Sequence, residues 1–213
     1  MSTRNLTALP TIADLERGML ALAALELILF DSDVDPDRGF FPKWDGTSTR
    51  VGVHDNGQGD HLFAVFDEAG CFMMGFAHES EMTPWRTKPP KIWPGLFDDI
   101  PEEFRGYLEE EAFQPDSATF VIWRAHSHPR WCTASIVDEF LPWDGSDDLL
   151  ELATPNAELY REWAEENFEV EVELDAIESI VSLTPFDGTL YERFDCPKEF
   201  ERVREELSGI GYP

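Results

Sequence analysis

The stretch that decides the fold runs Arg50-Val-Gly-Val-His54, Asp55-Asn-Gly-Gln-Gly-Asp60, His61-Leu-Phe-Ala-Val-Phe66, Asp67-Glu-Ala-Gly70 and Cys71-Phe-Met-Met-Gly-Phe76. Apolar runs of strand length alternate here with turn sequences. Asn56-Gly57 supplies the positive φ angles that tight turns need. The pattern predicts three consecutive antiparallel strands, a β-meander, over residues 50–78. A helix anywhere within residues 61–76 would contradict it.

Further strands are expected on both sides of the meander. Phe40 to Trp44 predicts a short strand with a proline at its edge. Thr119-Phe-Val-Ile-Trp123 and Trp131-Cys-Thr-Ala-Ser-Ile-Val137 predict a hairpin around Ala125 to Arg130.

Helices are expected at both ends of the chain. Thr11-Ile-Ala-Asp14 has the form of a capping box and opens a helix to about Phe30. That helix is apolar nearly all round, so it should lie deep against a sheet. Other helices are predicted after Pro101, after an N-cap at Thr154-Pro155, over Leu174 to Leu183 and after a cap at Asp195.

These elements define the fold class. We predict an α+β protein with an antiparallel or mixed sheet that contains a β-meander and is covered by N-terminal and C-terminal helices. The sequence shows no repeat and no linker, so residues 1–213 are expected to form a single domain.

The charge balance restricts the partners. The chain of 213 residues carries 16 Lys and Arg against 44 Asp and Glu, a formal net charge of −28. Such a field repels nucleic acid and anionic membranes and attracts basic proteins. We therefore expect a basic protein partner and no direct binding of nucleic acid or membrane. The alternative is that the acidic residues serve only solubility.

Cysteine usage and hydropathy suggest the compartment. Cys71, Cys132 and Cys196 are far apart, which argues against a disulfide framework and fits a reducing environment. The apolar run from Met19 to Phe30 is shorter than the roughly 20 residues of a bilayer span, and it lacks the flanks of a signal peptide. We expect a cytoplasmic protein.

Catalytic motifs give no positive indication. The sequence contains no Gly-x-Ser-x-Gly, no phosphate-binding loop and no dinucleotide fingerprint. We therefore assign no catalytic residue and no cofactor.

The turn that contains His54, Asp55, Asp60 and His61 is the most polar cluster. These side chains could hold a metal if the two strands that flank the turn are neighbours. The spacing matches neither a calcium loop nor a helical zinc site, and a third zinc ligand is missing, so we expect no bound metal.

Two other histidine groups leave alternatives open. His126 and His128, at the predicted hairpin tip, could share one face or could simply be exposed. His78-Glu-Ser-Glu81 could supply an acid/base pair or could be a polar strand end.

Acidic clusters are the candidate binding residues. Asp98 and Asp99 precede the helix that is predicted to start after Pro101. On an α-helix, Glu102, Glu103 and Glu110 share one side, while the apolar residues turn to the core. These carboxylates form a candidate docking face for a basic protein.

The meander also carries a family resemblance. Residues 51–66, followed by Gly70 and by Gly75-Phe-Ala-His-Glu79, resemble the central strands of the SUKH superfamily, which includes bacterial immunity proteins and relatives of fungal cell-wall synthesis regulators. Ile100 to Leu108 is similar to the Leu-Pro-containing helix of that family, which usually precedes the meander and here follows it. The chain otherwise resembles uncharacterised bacterial proteins.

The resemblance implies a non-catalytic immunity protein that binds a toxin, often a nuclease, in the producing bacterial cell. The leading hypothesis is thus an acidic binding module for a basic protein. The alternatives are an inhibitor that mimics nucleic acid, and a metal-dependent hydrolase that uses His54, His61 and nearby carboxylates.

Overall fold

The computed structural model describes residues 1–31, 36–137, 140–168 and 170–213. Its centre is a sheet of six strands whose order along the sheet follows the chain, with every neighbouring pair antiparallel. The strands are β1 (Arg38–Phe41), β2 (Arg50–Asp55), β3 (His61–Phe66), β4 (Gly70–Phe76), β5 (Phe120–Ala125) and β6 (Cys132–Thr133). The meander is therefore confirmed, and the sheet is antiparallel, not mixed.

Most of the helices lie at the two ends of the chain, and the α+β class is confirmed. The α-helices are α1 (Ile12–Leu29), α2 (Ser146–Ala153), α3 (Ala157–Phe168), α4 (Leu174–Val181), α5 (Gly188–Tyr191) and α6 (Phe200–Ile210). Short 3-10 helices fill the connections at Leu6–Ala8, Trp44–Gly46, Pro84–Arg86, Glu102–Leu108, Glu111–Phe113 and Pro115–Ser117. None of the helices in the described ranges is both long and apolar enough to cross a bilayer.

Helix α1 lies between two cores, which explains why it is apolar nearly all round. Leu15 and Met19 pack with the sheet residues Leu62 and Phe66. Its other side, which includes Leu25, packs with residues of α3, α4 and α6. The predicted capping box is present, because the Thr11 hydroxyl accepts a hydrogen bond from the Asp14 N–H at 3.2 Å.

The opposite face of the sheet is covered by the long connection between β4 and β5. Phe104 and Phe113 from that connection are fully buried against Phe63 and Phe72 of the sheet. Helices thus cover one face of the sheet, and the irregular but well-packed connection between β4 and β5 covers the other.

Two predicted helix starts are wrong. Thr154 ends α2, a helix that the sequence analysis did not predict, and its hydroxyl donates to the Leu150 carbonyl at 2.6 Å. The N-terminus of α3 is capped instead by Asn156, whose side chain accepts from the Leu159 N–H at 3.1 Å. The last helix begins after Glu199, not after Asp195, because Pro197 biases the preceding residue away from helical geometry.

Candidate functional site

The predicted histidine pair is separated by the register of the sheet. His54 pairs with Leu62, and His61 pairs with Asp55. Since successive residues of a strand point to opposite faces, the two imidazoles lie on opposite sides of the sheet. His54 is buried at 1% exposure, whereas the His61 ring lies 5.3 Å from the ring of Phe63 and 5.4 Å from that of Phe76. The two side chains do not meet at one ion.

The aspartates of the same turn have structural and electrostatic roles. Asp55 accepts a hydrogen bond from the Gly57 N–H at 2.9 Å and so stabilises the turn. Asp60 accepts from the backbone N–H of His78 and contacts its Nδ1 atom, both at 2.7 Å. Hydrogen bonding to His78 lowers the pKa of Asp60 against the opposing effect of burial, and Asp60 raises the pKa of His78. In the described residues no three His, Cys, Asp or Glu side chains are placed to hold a metal.

Asp60 belongs to a surface at one end of the sheet, which we call the acidic end surface. The Ser80 hydroxyl, two residues beyond His78, donates to the backbone carbonyl of Trp143 at 2.8 Å. The Trp143 indole nitrogen donates to the Asp147 carboxylate at 2.8 Å. These bonds join the end of β4 to the start of α2. The surface consists of Asp60, His78, Glu79, Trp143, Asp147 and Asp148.

Like charges are concentrated on the acidic end surface. The pKa of Asp148 is raised above its usual range by burial first, and then by the negative charges of Asp147, Glu151 and Asp60. A carboxylate that is destabilised by its neighbours becomes more stable when a cation approaches. This is the electrostatic condition for recruiting a positively charged side chain.

Trp143 is the exposed aromatic side chain that contacts the acidic residues of this surface. Trp143 is 38% exposed although its indole nitrogen is hydrogen-bonded, and Phe140, three residues earlier, is 84% exposed. Trp85, in the segment that follows Ser80, is 60% exposed. Large aromatic residues with one polar group are enriched in protein interfaces, whereas single exposed apolar residues need no explanation. Trp143 therefore provides an apolar contact within an acidic setting.

The predicted acidic face at residues 98–110 has a different geometry. Glu102–Leu108 is a 3-10 helix, and Glu110 lies beyond its end, where its side chain accepts from the Ala112 N–H at 3.2 Å. Gly106 inside the segment and three consecutive glutamates, 109–111, at its carboxyl end both disfavour an α-helix. The prediction that Glu102, Glu103 and Glu110 share one α-helical side is therefore wrong.

Several carboxylates of this segment have local partners. Asp99 accepts a hydrogen bond from the Ser135 N–H at 2.9 Å, and hydrogen bonds from Ser135 lower its pKa. Glu102 lies 3.6 Å from the guanidinium of Arg105. Asp98 and Glu103 are exposed. As a docking face, this segment stays a prediction.

The histidines of the β5–β6 turn make contacts with the backbone. His126 Nε2 lies 3.2 Å from the Asp67 carbonyl, and His128 Nδ1 lies 3.0 Å from the Arg130 carbonyl. Both residues belong to the turn and both are exposed. Because they do not lie in a strand, the rule that alternate residues point to the same face does not apply to them. Cys132 Sγ approaches His128 Nδ1 at 3.9 Å.

A buried polar cluster, which no sequence motif predicted, forms the second notable site. Glu26 of α1 lies 2.7 Å from the guanidinium of Arg38 on β1, and both side chains are almost fully buried. The Arg38 guanidinium is 4.0 Å from the ring centroid of Trp163 and 5.5 Å from that of Tyr160, both on α3. We call Glu26, Arg38, His54 and Tyr160 the buried polar cluster.

Burial dominates the protonation of this cluster. It raises the pKa of Glu26 to about 7, against the attraction and the hydrogen bonds of Arg38. Burial, followed by the charge of Arg38, lowers the pKa of His54 to about 3. The charge of Asp60 and a hydrogen bond to the Asp37 backbone act in the opposite direction but are weaker. Burial followed by the charge of Glu26 raises the pKa of the Tyr160 phenol. Among the described residues, none offers a hydrogen-bond partner to the buried Tyr160 hydroxyl.

The signals for these sites in the sequence were weak. The acidic end surface was indicated only by an aromatic residue among acids in a turn-forming stretch, Trp143-Asp-Gly-Ser-Asp-Asp148. A glutamate within an apolar helix was the available sign of the buried polar cluster. Comparisons with protein-family models, with curated proteins and with solved structures found no match to this chain.

Proposed function

We propose that the protein is a non-catalytic binding module for a basic protein, and that the acidic end surface is its docking site. The observation that carries the proposal is Trp143, which is partly exposed and donates a hydrogen bond to Asp147. The neighbouring Asp148 carboxylate is destabilised first by burial and then by like charges. Burying an aromatic anchor supplies affinity, and the carboxylates accelerate encounter with a cationic surface.

The nature of the partner follows from the charge of the whole chain. A net charge of −28 favours a strongly basic surface, such as the cleft of a toxin domain that acts on nucleic acid. The resemblance to SUKH immunity proteins supports the same partner class and a cytoplasmic location in a bacterium. The hydrolase alternative loses its basis, because His54 and His61 lie on opposite faces of the sheet.

An arginine- and lysine-rich peptide is a defined probe of the docking site. The peptide is titrated into isotope-labelled protein while the Trp143 indole N–H signal is followed by NMR. We expect this signal and the backbone signals of residues 143–148 to shift, and the shifts to weaken as salt screens the charges. Shifts confined to residues 98–110 would move the docking site to that segment. Absence of any saturable shift would contradict the proposal.

Paired variants separate a local site from a general charge effect. Asp147→Asn with Asp148→Asn should weaken peptide binding several-fold, whereas Glu201→Gln with Glu205→Gln removes the same charge from exposed positions on α6. Equal weakening in both pairs would show that the peptide responds only to net charge. Displacement of a captured basic partner by nucleic acid would favour the nucleic-acid-mimic alternative.

A further inference from the structure

A cleft lies between the turn that joins β5 to β6 and the segment that precedes α1. Its volume is about 500 Å³, and sites for small molecules span roughly 300–1,000 Å³. Leu6, Leu9 and Trp131 form apolar walls that are continuous with the core between α1 and the sheet. The cleft is also lined by Thr7, Arg124, Pro129 and Arg130.

Trp131 is a fixed wall of this cleft. It is 7% exposed, and its indole nitrogen donates to the Pro10 carbonyl at 2.8 Å. This hydrogen bond joins the start of β6 to the segment before α1, so the two sides of the cleft are connected without a ligand. A wall that is already in place lowers the ordering cost of binding.

Two arginines give the cleft a positive charge. The Nε of Arg124 donates to the His128 carbonyl at 3.3 Å, and its guanidinium carbon lies 5.9 Å from the centroid of the Trp131 ring. Arg130 is exposed. The ion pairs among the described residues include neither arginine, although the chain has 44 Asp and Glu against 16 Lys and Arg. Guanidinium groups recognise carboxylates and phosphates.

We propose that this cleft binds a small organic anion that has a flat apolar body and a single carboxylate. The apolar body packs against Leu6, Leu9 and Trp131, and the carboxylate accepts hydrogen bonds from the guanidiniums of Arg124 and Arg130. A single charge is favoured over the multiple charges of a phosphate, because the field of a chain with net charge −28 opposes an anion in proportion to its charge.

The cleft is separate from the acidic end surface. The end of β4 that leads into His78 pairs with the start of β5, where Gly75 lies opposite Phe120. Arg124 lies towards the other end of β5, opposite Cys71 near the start of β4. The two sites therefore lie at opposite ends of these strands, and the proposal does not depend on docking at the acidic end surface.

The matched probes are 2-naphthoate and its neutral amide, 2-naphthamide. Each is titrated into isotope-labelled protein while the backbone signals of residues 6–9 and 130–131 are followed by NMR. We expect saturable shifts with 2-naphthoate and binding of 2-naphthamide that is weaker by roughly tenfold, because the amide lacks the charge-assisted hydrogen bonds. Absence of saturable shifts with 2-naphthoate, or equal affinities for the two probes, would overturn the proposal.

Arginine variants test the site of contact. Arg124→Gln and Arg130→Gln should each weaken 2-naphthoate binding several-fold. Arg105→Gln is the matched control, because it removes the same charge from an exposed position in the connection that covers the opposite face of the sheet. Arg130 is exposed, so its replacement gives a folded variant even where Arg124→Gln disturbs the sheet. An unchanged affinity in Arg130→Gln, or an equal loss in Arg105→Gln, would overturn the proposal.

Discussion

The Glu26 carboxylate accepts one hydrogen bond from the Arg38 backbone N–H at 3.0 Å and another from the Arg38 guanidinium at 2.7 Å. This buried pair links helix α1 to β1, which is an edge strand of the sheet. The guanidinium is also covered by the Trp163 ring. Helix α1, strand β1 and helix α3 therefore meet at one ion pair.

Glu26→Gln should destabilise the protein by about 1–3 kcal/mol, because the amide presents an N–H donor to one of the two buried Arg38 groups that donate to the carboxylate. Glu16→Gln is the matched control, since Glu16 also pairs with an arginine, Arg50, but at a partly exposed position. That change should cost less than about 1 kcal/mol. Urea unfolding measures the loss in free energy of unfolding for both variants. Equal losses would show that the buried pair stabilises the fold no more than the partly exposed one.

His54 makes stability depend on pH in a definite direction. Its folded pKa of about 3 lies below the ordinary 6.5, so the unfolded chain binds a proton that the folded protein does not. The stability of the folded protein is therefore unaffected by His54 protonation above about pH 6.5, and it decreases as the pH falls from 6.5 towards 3. Glu26 acts oppositely, because its raised pKa makes stability fall as the pH rises from about 4.5 to 7.

Comparison of wild type with His54→Leu isolates the histidine from Glu26. The free energy of unfolding of the variant minus that of the wild type should be about 2 kcal/mol larger at about pH 5 than above pH 7, since one pKa unit corresponds to roughly 1.36 kcal/mol. Urea unfolding at the two pH values measures it. A difference that does not change with pH would mean that His54 binds a proton in the folded state.

Leu22 tests the structural role of α1. It is 2% exposed between the two cores that α1 separates. Leu22→Asp should cost several kcal/mol, because it buries an unpaired charge. Arg17→Asp, at an exposed position of the same helix, should change stability by only about 0.5 kcal/mol. Unchanged melting of Leu22→Asp would mean that this face of α1 is open to a partner.

The meander and α1 were predictable because local signals specify them. The Asn56-Gly57 turn and the Thr11–Asp14 capping box act within a few residues. The separation of His54 from His61 depends instead on a register in which His54 faces Leu62. A shift of β2 by one residue relative to β3 would have placed both imidazoles on the same face. The sequence does not reveal that register without the fold.

The sites were less predictable because they combine distant segments. Asp60, Ser80 and Trp143 meet only after β3, β4 and the start of α2 are assembled. Glu26, His54 and Tyr160 likewise come from a helix, a strand and a second helix. By contrast, the failure of the α-helix at residues 101–110 was visible in principle, because Gly106 and the glutamates at 109–111 disfavour it.

The contact between Asp60 and His78 predicts a measurable titration. Asp60 is the largest cause of the raised pKa of His78, through a hydrogen bond and then through its charge. Asp60→Asn should therefore lower the pKa of His78 in an NMR titration of its imidazole. Because the ring is exposed, the folded state should tolerate the change. A His78 pKa that is insensitive to Asp60→Asn would show that the two side chains do not interact in solution.

The association rate of the basic protein captured from native cells tests the central claim most directly. It is measured against rising salt for wild type, for Asp147→Asn with Asp148→Asn, and for the α6 control Glu201→Gln with Glu205→Gln. Surface charges act mainly on association, and salt screens them over about 8 Å at physiological strength. We expect the first pair to slow association and flatten its salt dependence far more than the control. Identical rates and salt dependences for all three proteins would contradict docking at the acidic end surface.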